Sequence, residues 1–488
     1  MSGLQIIYTQ NSDIVLLQKH YPDGEMRMEK RKIQKSTIIY IVFIIISLIQ
    51  GIVYSFKLPF AQVPDELSHY ENMETAFGTS GYTSELVSRL YHPAKLNTLP
   101  GNKDAKVNQS ALDKVKLTHF SDSISLSSFH PRMTILRYLP CGIGFYLGIA
   151  MDLPILWCTY MAELFSVLFF VILGYYTLKI VPIKKEIFAF CMLIPETLQQ
   201  CSSVNYDSVL IPCCFFLFAY ILKLYYDNTT IRWRNLLVVF LFTFILVIVK
   251  LPYAFIFLTI FIIPLRRFQL KIGHRFDLIH FIYKFWYIFV LLFIFIAGIG
   301  LYLFRDNSLV KVFLSDILSF SQFSSLIERT YSNLGYYHII QMIGMFGWID
   351  SQVSTMFIVI FFMMMVYLNS TLNEDVETRL NTPRRIWLFV VFVLMILLIE
   401  VIFQRWSYNY WKWDLTGNLS TYQSYIPALG TILGVQGRYW IPCLPILLVA
   451  LHGQVQHKHR KLFWFVQLAY YTISFIQVMN VLNTRYWI

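Results

Sequence analysis

Long apolar runs, separated by short basic or polar segments, make up most of the chain. The first run, Thr37 to Phe56, has the ~20 residues that a helix needs to cross a bilayer, and it follows a polar segment that ends in a cluster of Lys and Arg. A basic flank before a full-length span predicts an uncleaved first helix with a cytoplasmic N-terminus. We therefore predict a cytoplasmic segment over residues 1–36 and a multi-span membrane domain over residues 37–488.

The remaining runs predict an all-α, polytopic integral membrane protein. Counting Met133 to Met151 as a span would place four basic clusters outside, against the positive-inside bias, so we predict that this run lies along or re-enters the outer surface. The other runs give about eleven transmembrane helices. These predicted spans are 37–56, 155–178, 187–199, 209–225, 236–249, 254–265, 286–304, 353–368, 386–403, 439–452 and 463–481.

Three polar segments then face the outside. The first extracytoplasmic loop, residues 57–154, is long and balanced in charge, and we expect it to form juxtamembrane helices. Further outer loops are predicted over residues 305–352 and 404–438. The inner loops are short and carry no glycine-rich phosphate-binding motif, which argues against a nucleotide site on the cytoplasmic side.

Composition supports a membrane protein and excludes several other classes. The chain is 57% hydrophobic, 17% aromatic and only 14% charged, so it is neither disordered nor an ordinary soluble enzyme. The net charge of +12 raises nucleic acid as a partner. However, the basic residues form short clusters between apolar runs, which is typical of cytoplasmic anchors, so we predict a lipid bilayer and no nucleic acid as partner.

Five groups of polar residues near the ends of the predicted spans all fall on the outer side. Such clustering, with basic groups that could hold a phosphate, predicts one outward-facing site at the membrane surface. The groups are Asp65, Glu66 and His69; Asn205, Tyr206 and Asp207; Lys250 and Tyr253; Asp350; and Gln436, Gly437, Arg438 and Tyr439.

Each of these groups also has a structural interpretation. Asp65 and Glu66 could bind a divalent metal or take a proton from a hydroxyl, or they could cap a helix that starts at Leu67. Asp207 is either a second acid or the N-cap of a span. Lys250 and Arg438 either clamp a phosphate or extend toward lipid headgroups.

Five short motifs resemble, in order, those of a bacterial membrane family that is catalogued as domain of unknown function 2142. The similarity covers roughly Tyr40 to Leu451. It departs from the family pattern at Val63, where the family usually has a second Pro before its Asp-Glu pair. The motifs are Gln62 to Tyr70, Pro195 to Asp207, Lys250 to Tyr253, Gly347 to Asp350 and Gly434 to Tyr439.

That family resembles the GT-C class of integral membrane glycosyltransferases, which use a polyprenyl-phosphate sugar donor. The resemblance implies that Asp65 acts as general base, or binds a divalent cation such as Mg²⁺ or Mn²⁺, with Glu66 in support. It implies that Lys250 and Arg438 hold the lipid phosphate. The remaining substrate-binding residues that it implies are His69, Asp207, Tyr253, Asp350, Gln436 and Tyr439.

We therefore expect a GT-C-like hexosyltransferase in the cell membrane, with its active site outside. Its expected partners are a polyprenyl-phosphate-linked sugar and a cell-surface glycan acceptor. A polymerase or ligase of lipid-linked glycans is an alternative. A transporter or flippase of lipid-linked saccharides is another; it predicts acids within the spans, such as Glu163 and Glu196, and an internal repeat, which is not evident.

Overall fold

A computed structural model shows a helical membrane protein in which the α-helices pack around one large apolar core. It describes residues 23–91, 109–120, 131–227, 230–269, 320–372, 380–417, 431–453 and 460–487, with the short segments 5–8, 15–18, 106–107, 271–272, 276–277, 303 and 455–456. The α-helices within these residues are α1 Asp23–Lys57, α2 Glu66–Phe77, α3 Tyr82–Leu86, α4 Gln109–Val115, α5 Leu139–Ala150, α6 Ile155–Ile180, α7 Lys185–Met192, α8 Pro195–Cys201, α9 Asp207–Tyr226, α10 Trp233–Ala254, α11 Phe320–Gly344, α12 Thr355–Ser370, α13 Thr382–Gly417, α14 Leu444–Ala450 and α15 Arg460–Leu482.

Shorter elements connect these helices. The 3₁₀ helices are Met133–Arg137, Phe255–Ile262, Leu265–Arg267 and Gly437–Cys443, and the π-helical segments are Val87–Tyr91 and Asn483–Trp487. The strands form two-stranded pairs: antiparallel β1 Gln5–Tyr8 with β2 Val15–Gln18, β3 Lys271–Ile272 with β4 Phe276–Asp277 and β5 Met345–Phe346 with β6 Ser351–Gln352, and parallel β7 Thr371–Leu372 with β8 Val455–Gln456.

Among the described residues, 6 helical segments are long and apolar enough to cross a membrane. The prediction of a polytopic, predominantly helical membrane protein is therefore confirmed, whereas the count of eleven spans stays a prediction. Each of these segments overlaps a predicted span. They are Ile38–Lys57, Ile155–Ile180, Asp207–Tyr226, Trp233–Ile262, Thr382–Gln404 and Leu462–Trp487.

Two predicted spans, 236–249 and 254–265, are joined in the segment Trp233–Ile262. At the predicted boundary the structure has a kink at Lys250, whose φ of −161° and ψ of 102° are not helical. Ile231 and Phe268, which flank the segment, pair as a β-bridge, so the chain turns back between them. Pro252 accounts for the break, because it has no amide hydrogen to donate to the carbonyl of Ile248. Arg137 Nε donates to that carbonyl at 2.7 Å instead.

The predicted span 187–199 is divided into the short helices α7 and α8, which meet at Ile194 and Pro195. Every residue of α8 is buried. Broken helices of this kind are tolerated in a membrane where the surrounding protein covers them. The predicted span 286–304 lies almost wholly outside the described residues, and the predicted outer loop 305–352 contains the 25-residue helix α11.

The run Met133 to Met151 forms a 3₁₀ turn and the 12-residue helix α5, which is shorter than a full span. Small residues let α5 lie directly against α6. A Cβ at Gly144 would lie 2.2 Å from the backbone oxygen of Met161, so the two helices can approach this closely only because the residue is glycine. Together with α2, they form a second buried cluster beside the main core.

Candidate functional site

Arg438 is the centre of a buried cluster of charged and polar side chains. It lies in the 3₁₀ helix Gly437–Cys443, and its side chain is only 4% exposed. Its guanidinium is 3.6 Å from the carboxylate of Asp65 and 3.8 Å from that of Asp207. It also donates a 2.8 Å hydrogen bond to Gln200 Oε1. Residues that are distant in the sequence therefore meet here, as the motifs predict.

Glycine is required immediately before Arg438. A Cβ at Gly437 would lie 1.8 Å from the backbone oxygen of His338 and 2.6 Å from the backbone nitrogen of Met342. The Gly437 amide donates a hydrogen bond to Gln341 Oε1 at 2.9 Å. This close contact with α11 fixes the position from which the arginine side chain enters the cluster.

Lys250 supplies a second buried cation. Because α10 breaks at this residue, the side chain enters an aromatic enclosure. Its Nζ makes no hydrogen bond to any part of the chain that the structure describes. The ammonium lies 3.5 Å from the centre of the Tyr439 ring, and the rings of Tyr206, Tyr253 and Phe403 lie at 5.4–5.8 Å. Cation–π contacts of this kind hold an ammonium while leaving its N–H groups able to donate.

Asp65 and Glu66 have different environments. The Asp65 side chain is 60% exposed, whereas Glu66 is buried and accepts a hydrogen bond from the Val63 amide. Asp65 makes no side-chain cap bond at the start of α2, and its φ of 66° is left-handed. Uncommon backbone conformations of this type are found at functional sites. Asp65 is therefore the accessible acid, and Glu66 holds the loop that carries it.

Asp207 is the first residue of α9, and the N-cap position is occupied by Tyr206. Among the described residues, one of its carboxylate oxygens, Oδ1, has no hydrogen-bond partner. Its other oxygen faces Arg438. The N-cap interpretation therefore lacks a side-chain hydrogen bond at Asp65 and does not apply to the position of Asp207.

His69 lies against the same cluster. Its Nδ1 is 2.9 Å from the hydroxyl of Tyr138, and its ring packs edge-on against Tyr206. Burial, with a smaller contribution from Arg438, lowers the pKa of His69 to about 4. A neutral imidazole in this position can accept or donate one hydrogen bond without adding charge to the cluster.

The other predicted residues line the site. The Tyr253 hydroxyl donates to the backbone oxygen of Tyr439 at 2.7 Å, so these two aromatics are fixed relative to each other. Gln436 borders a narrow crevice that reaches Arg438. The crevice is lined by Pro64, Glu196, Gln341, Met345, Ile349, Gln436 and Arg438.

Asp350 has a different environment from the other predicted site residues. Its Oδ2 accepts hydrogen bonds from Arg485 Nε at 3.0 Å and Nη2 at 2.9 Å, and its Oδ1 accepts one from Ser351. Both oxygens are engaged, and both members of the ion pair are buried. Since Ile349 lines the crevice, this pair attaches one wall of the site to the segment Asn483–Trp487.

We expect Asp350→Ala to reduce the free energy of unfolding by about 3–5 kcal/mol, because it leaves the Arg485 guanidinium buried without its counterion. The exchange Asp350→Arg with Arg485→Asp should restore part of that loss. Thermal melting of the detergent-purified protein measures both effects. Asp113→Ala is the control, since it removes an exposed pair with Lys116, which costs at most about 1 kcal/mol. Equal melting of the two alanine variants would contradict a structural role.

Glu66 and His69 should give opposite pH dependences of stability. Burial raises the pKa of Glu66 to about 7 from 4.5, so its contribution is complete below pH 4.5 and is lost as the pH rises through 7. The pKa of His69 falls to about 4 from 6.5, so its contribution is complete above pH 6.5 and is lost as the pH falls through 4.

We therefore expect single substitutions to reveal how each of the two groups changes the stability of the protein with pH. Relative to the unchanged protein, the melting temperature of Glu66→Gln should rise with pH between about 4.5 and 7, and that of His69→Gln should fall with pH between about 4 and 6.5. Melting curves recorded from pH 4 to 8 in one detergent test this. Parallel profiles for the two variants would show that neither group has a shifted pKa.

The cluster is a poor match for a divalent cation. Among the residues that the structure describes, no group of three or more His, Cys, Asp or Glu side chains is placed to hold a metal ion. Asp65 and Asp207 both face the Arg438 guanidinium, which already supplies the positive charge between them. Among the described residues, Asp65 therefore has no second side chain placed with it to bind the predicted metal ion.

Two contributors to the cluster, Gln200 and Gln341, are not among the predicted site residues. Gln200 bridges Arg438 and Glu196, and Asn205 Nδ2 donates to it at 3.0 Å. Gln200 lies in a polar run between two apolar segments, and that position could have marked it as a candidate site residue. Gln341 is placed by α11, within a segment that the pattern assigned to an outer loop, and no local feature distinguishes it.

The helices and this cluster define a multi-pass membrane protein with a buried, charged site that one exposed carboxylate borders. The family model for predicted membrane proteins, DUF2142, matches residues 48–447. The chain belongs to that family, as its motifs indicate. No curated protein and no solved structure matches the chain.

Proposed function

We propose that the protein is an integral membrane glycosyltransferase of GT-C type. It transfers a sugar, a hexose, from a polyprenyl-phosphate donor to a cell-surface glycan acceptor on the extracytoplasmic side. The observation that carries the proposal is the exposed carboxylate of Asp65 next to two buried cations, Arg438 and Lys250. Sugar transfer from a lipid phosphate needs a base at the acceptor and positive charge at the leaving group.

In this mechanism the acceptor hydroxyl attacks the anomeric carbon while Asp65 takes its proton. The bond between that carbon and the phosphate oxygen breaks, and the electron pair leaves with the polyprenyl phosphate. Lys250 and Arg438 stabilise the negative charge that develops on the phosphate. Lys250 suits this role because its Nζ has no hydrogen-bond partner within the described ranges, so its N–H groups are available to a phosphate.

A direct test compares the surface glycans of cells that carry or lack the intact protein. The proposal predicts that one sugar is lost from the glycan without the protein. It also predicts that membranes containing the protein release polyprenyl phosphate as they transfer that sugar from added lipid-linked donor. A glycan that is unchanged in composition and length would contradict it.

A transporter or flippase of lipid-linked saccharides is the second candidate. It is favoured by one observation: Glu163 is buried within the candidate span Ile155–Ile180, and its Oε2 has no hydrogen-bond partner among the described residues. Acids at such positions are costly and often serve transport. A fluorescent polyprenyl-phosphate sugar in vesicles distinguishes the two, because a flippase moves it between leaflets without releasing polyprenyl phosphate.

A further inference from the structure

A second cluster of buried polar side chains lies beside the one around Arg438. His338 Nδ1, Glu400 Oε2 and Trp440 Nε1 are buried, and none has a hydrogen-bond partner among the side chains and backbone that the structure describes. Glu400 is fully buried near one end of the candidate span Thr382–Gln404. Leaving three polar atoms unpaired at one place is costly, and such groups call for a ligand or ordered water.

The side chains of this cluster contact one another through Tyr331. Its hydroxyl donates to Glu400 Oε1 at 2.6 Å. Its ring lies 5.9 Å from the Trp440 ring, tilted by 30°, and 6.3 Å from His338. His338 and Trp440 are themselves 5.5 Å apart. The unpaired atoms therefore belong to one site, formed by α11, α13 and the 3₁₀ helix Gly437–Cys443.

The three atoms present a defined hydrogen-bonding pattern. The Trp440 indole can only donate, and the free oxygen of the Glu400 carboxylate accepts. The imidazole of His338 contacts the backbone of Val435 through its other side, which leaves Nδ1 for a ligand. Two aromatic rings border these groups. A ring with several hydroxyl groups and an apolar face would satisfy all of them.

The same elements connect this cluster to the Arg438 site. Trp440 follows Arg438 by two residues in one 3₁₀ helix. Phe403, one turn after Glu400 in α13, stacks on Tyr439 at 5.1 Å. Gln341, one turn after His338 in α11, accepts from the Gly437 amide at 2.9 Å. The second cluster is therefore adjacent to the site where Lys250 and Arg438 would hold a phosphate.

We propose that Tyr331, His338, Glu400 and Trp440 form the subsite that binds the hexose of the lipid-linked donor. This inference rests on the proposed function and adds the group that recognises the sugar. It separates recognition of the phosphate, at Lys250 and Arg438, from recognition of the hydroxyls. The alternative for these side chains is a set of hydrogen bonds to trapped water.

Two probes distinguish the subsite from the phosphate site. The purified full-length protein is titrated with polyprenyl phosphate and with the same lipid carrying glucose, galactose or mannose. We expect Glu400→Gln and Trp440→Phe each to weaken binding of the preferred sugar-bearing lipid by about tenfold or more. Trp440→Phe removes a hydrogen-bond donor, and Glu400→Gln replaces a charged acceptor with a neutral amide. Binding of plain polyprenyl phosphate should not change. Lys250→Gln should weaken both.

Control variants lie on the same helix α11. Tyr336→Phe and Glu328→Gln change exposed residues of the same types and should bind both probes normally. Tyr331→Phe replaces Glu400→Gln if the latter does not fold. The subsite is overturned if the cluster variants bind the sugar-bearing lipids as well as the unchanged protein does, and the proposed function then still stands. If the unchanged protein binds neither probe, the proposed function itself fails.

Discussion

Asp65→Asn should reduce sugar transfer by about 10²–10⁴-fold, the range expected when a general base is removed. The protein should still fold, because the Asp65 side chain is 60% exposed and makes no cap bond. Asparagine also tolerates the left-handed backbone at this position. Glycan composition of cells and release of polyprenyl phosphate in membranes measure the effect at matched protein levels.

Asp152→Asn provides a matched control. Asp152 has a φ of 52° and a side chain that is 93% exposed, so the substitution changes charge and backbone environment in the same way, away from the cluster. We expect normal transfer from this variant. If Asp65→Asn also transfers sugar normally, Asp65 is not the base, and the transporter becomes the better candidate.

Arg438→Gln should both abolish transfer and destabilise the protein. The guanidinium is buried against Asp65 and Asp207, and its removal leaves Asp207 buried without this counterion. Breaking a buried pair from one side costs about 3–5 kcal/mol. Thermal melting in detergent should show this loss, and binding of polyprenyl phosphate should weaken in parallel.

The cause of that destabilisation can be tested separately. Adding Asp207→Asn to Arg438→Gln removes the uncompensated charge, so melting should recover toward that of the unchanged protein while transfer remains absent. Arg234→Gln is the control, since Arg234 is exposed at the start of α10. Recovery of transfer in the double variant would mean that Arg438 is structural and does not bind phosphate.

Much of the membrane architecture could be predicted because apolar runs of the required length are local properties of the chain. The runs around residues 37–56, 155–178 and 463–481 are all helical in the structure. The boundary expected at Lys250 is a kink between two helical segments, because the proline that follows interrupts the helical hydrogen bonds. Arg137 stabilises that break from a distant position, and nothing near Pro252 in the sequence indicates it.

The sequence could indicate which residues form the candidate site, but not what each of them does there. Asp65, Asp207, Lys250 and Arg438 were selected as charged residues at span ends, and they meet in one cluster. Asp350 was selected on the same grounds, yet it pairs with Arg485, 135 positions away. Charge and position in a motif do not indicate which opposite charge will be the neighbour.

Residue order alone therefore establishes a polytopic membrane protein, its family and the residue types available for chemistry, since each depends on short stretches of chain. Packing decides the rest. It exposes Asp65 and buries Glu66 although they are adjacent, because the loop before α2 turns one carboxylate inward to backbone amides. It also leaves Lys250 unpaired among aromatic rings from separate segments, because contacts between segments form only when the chain folds.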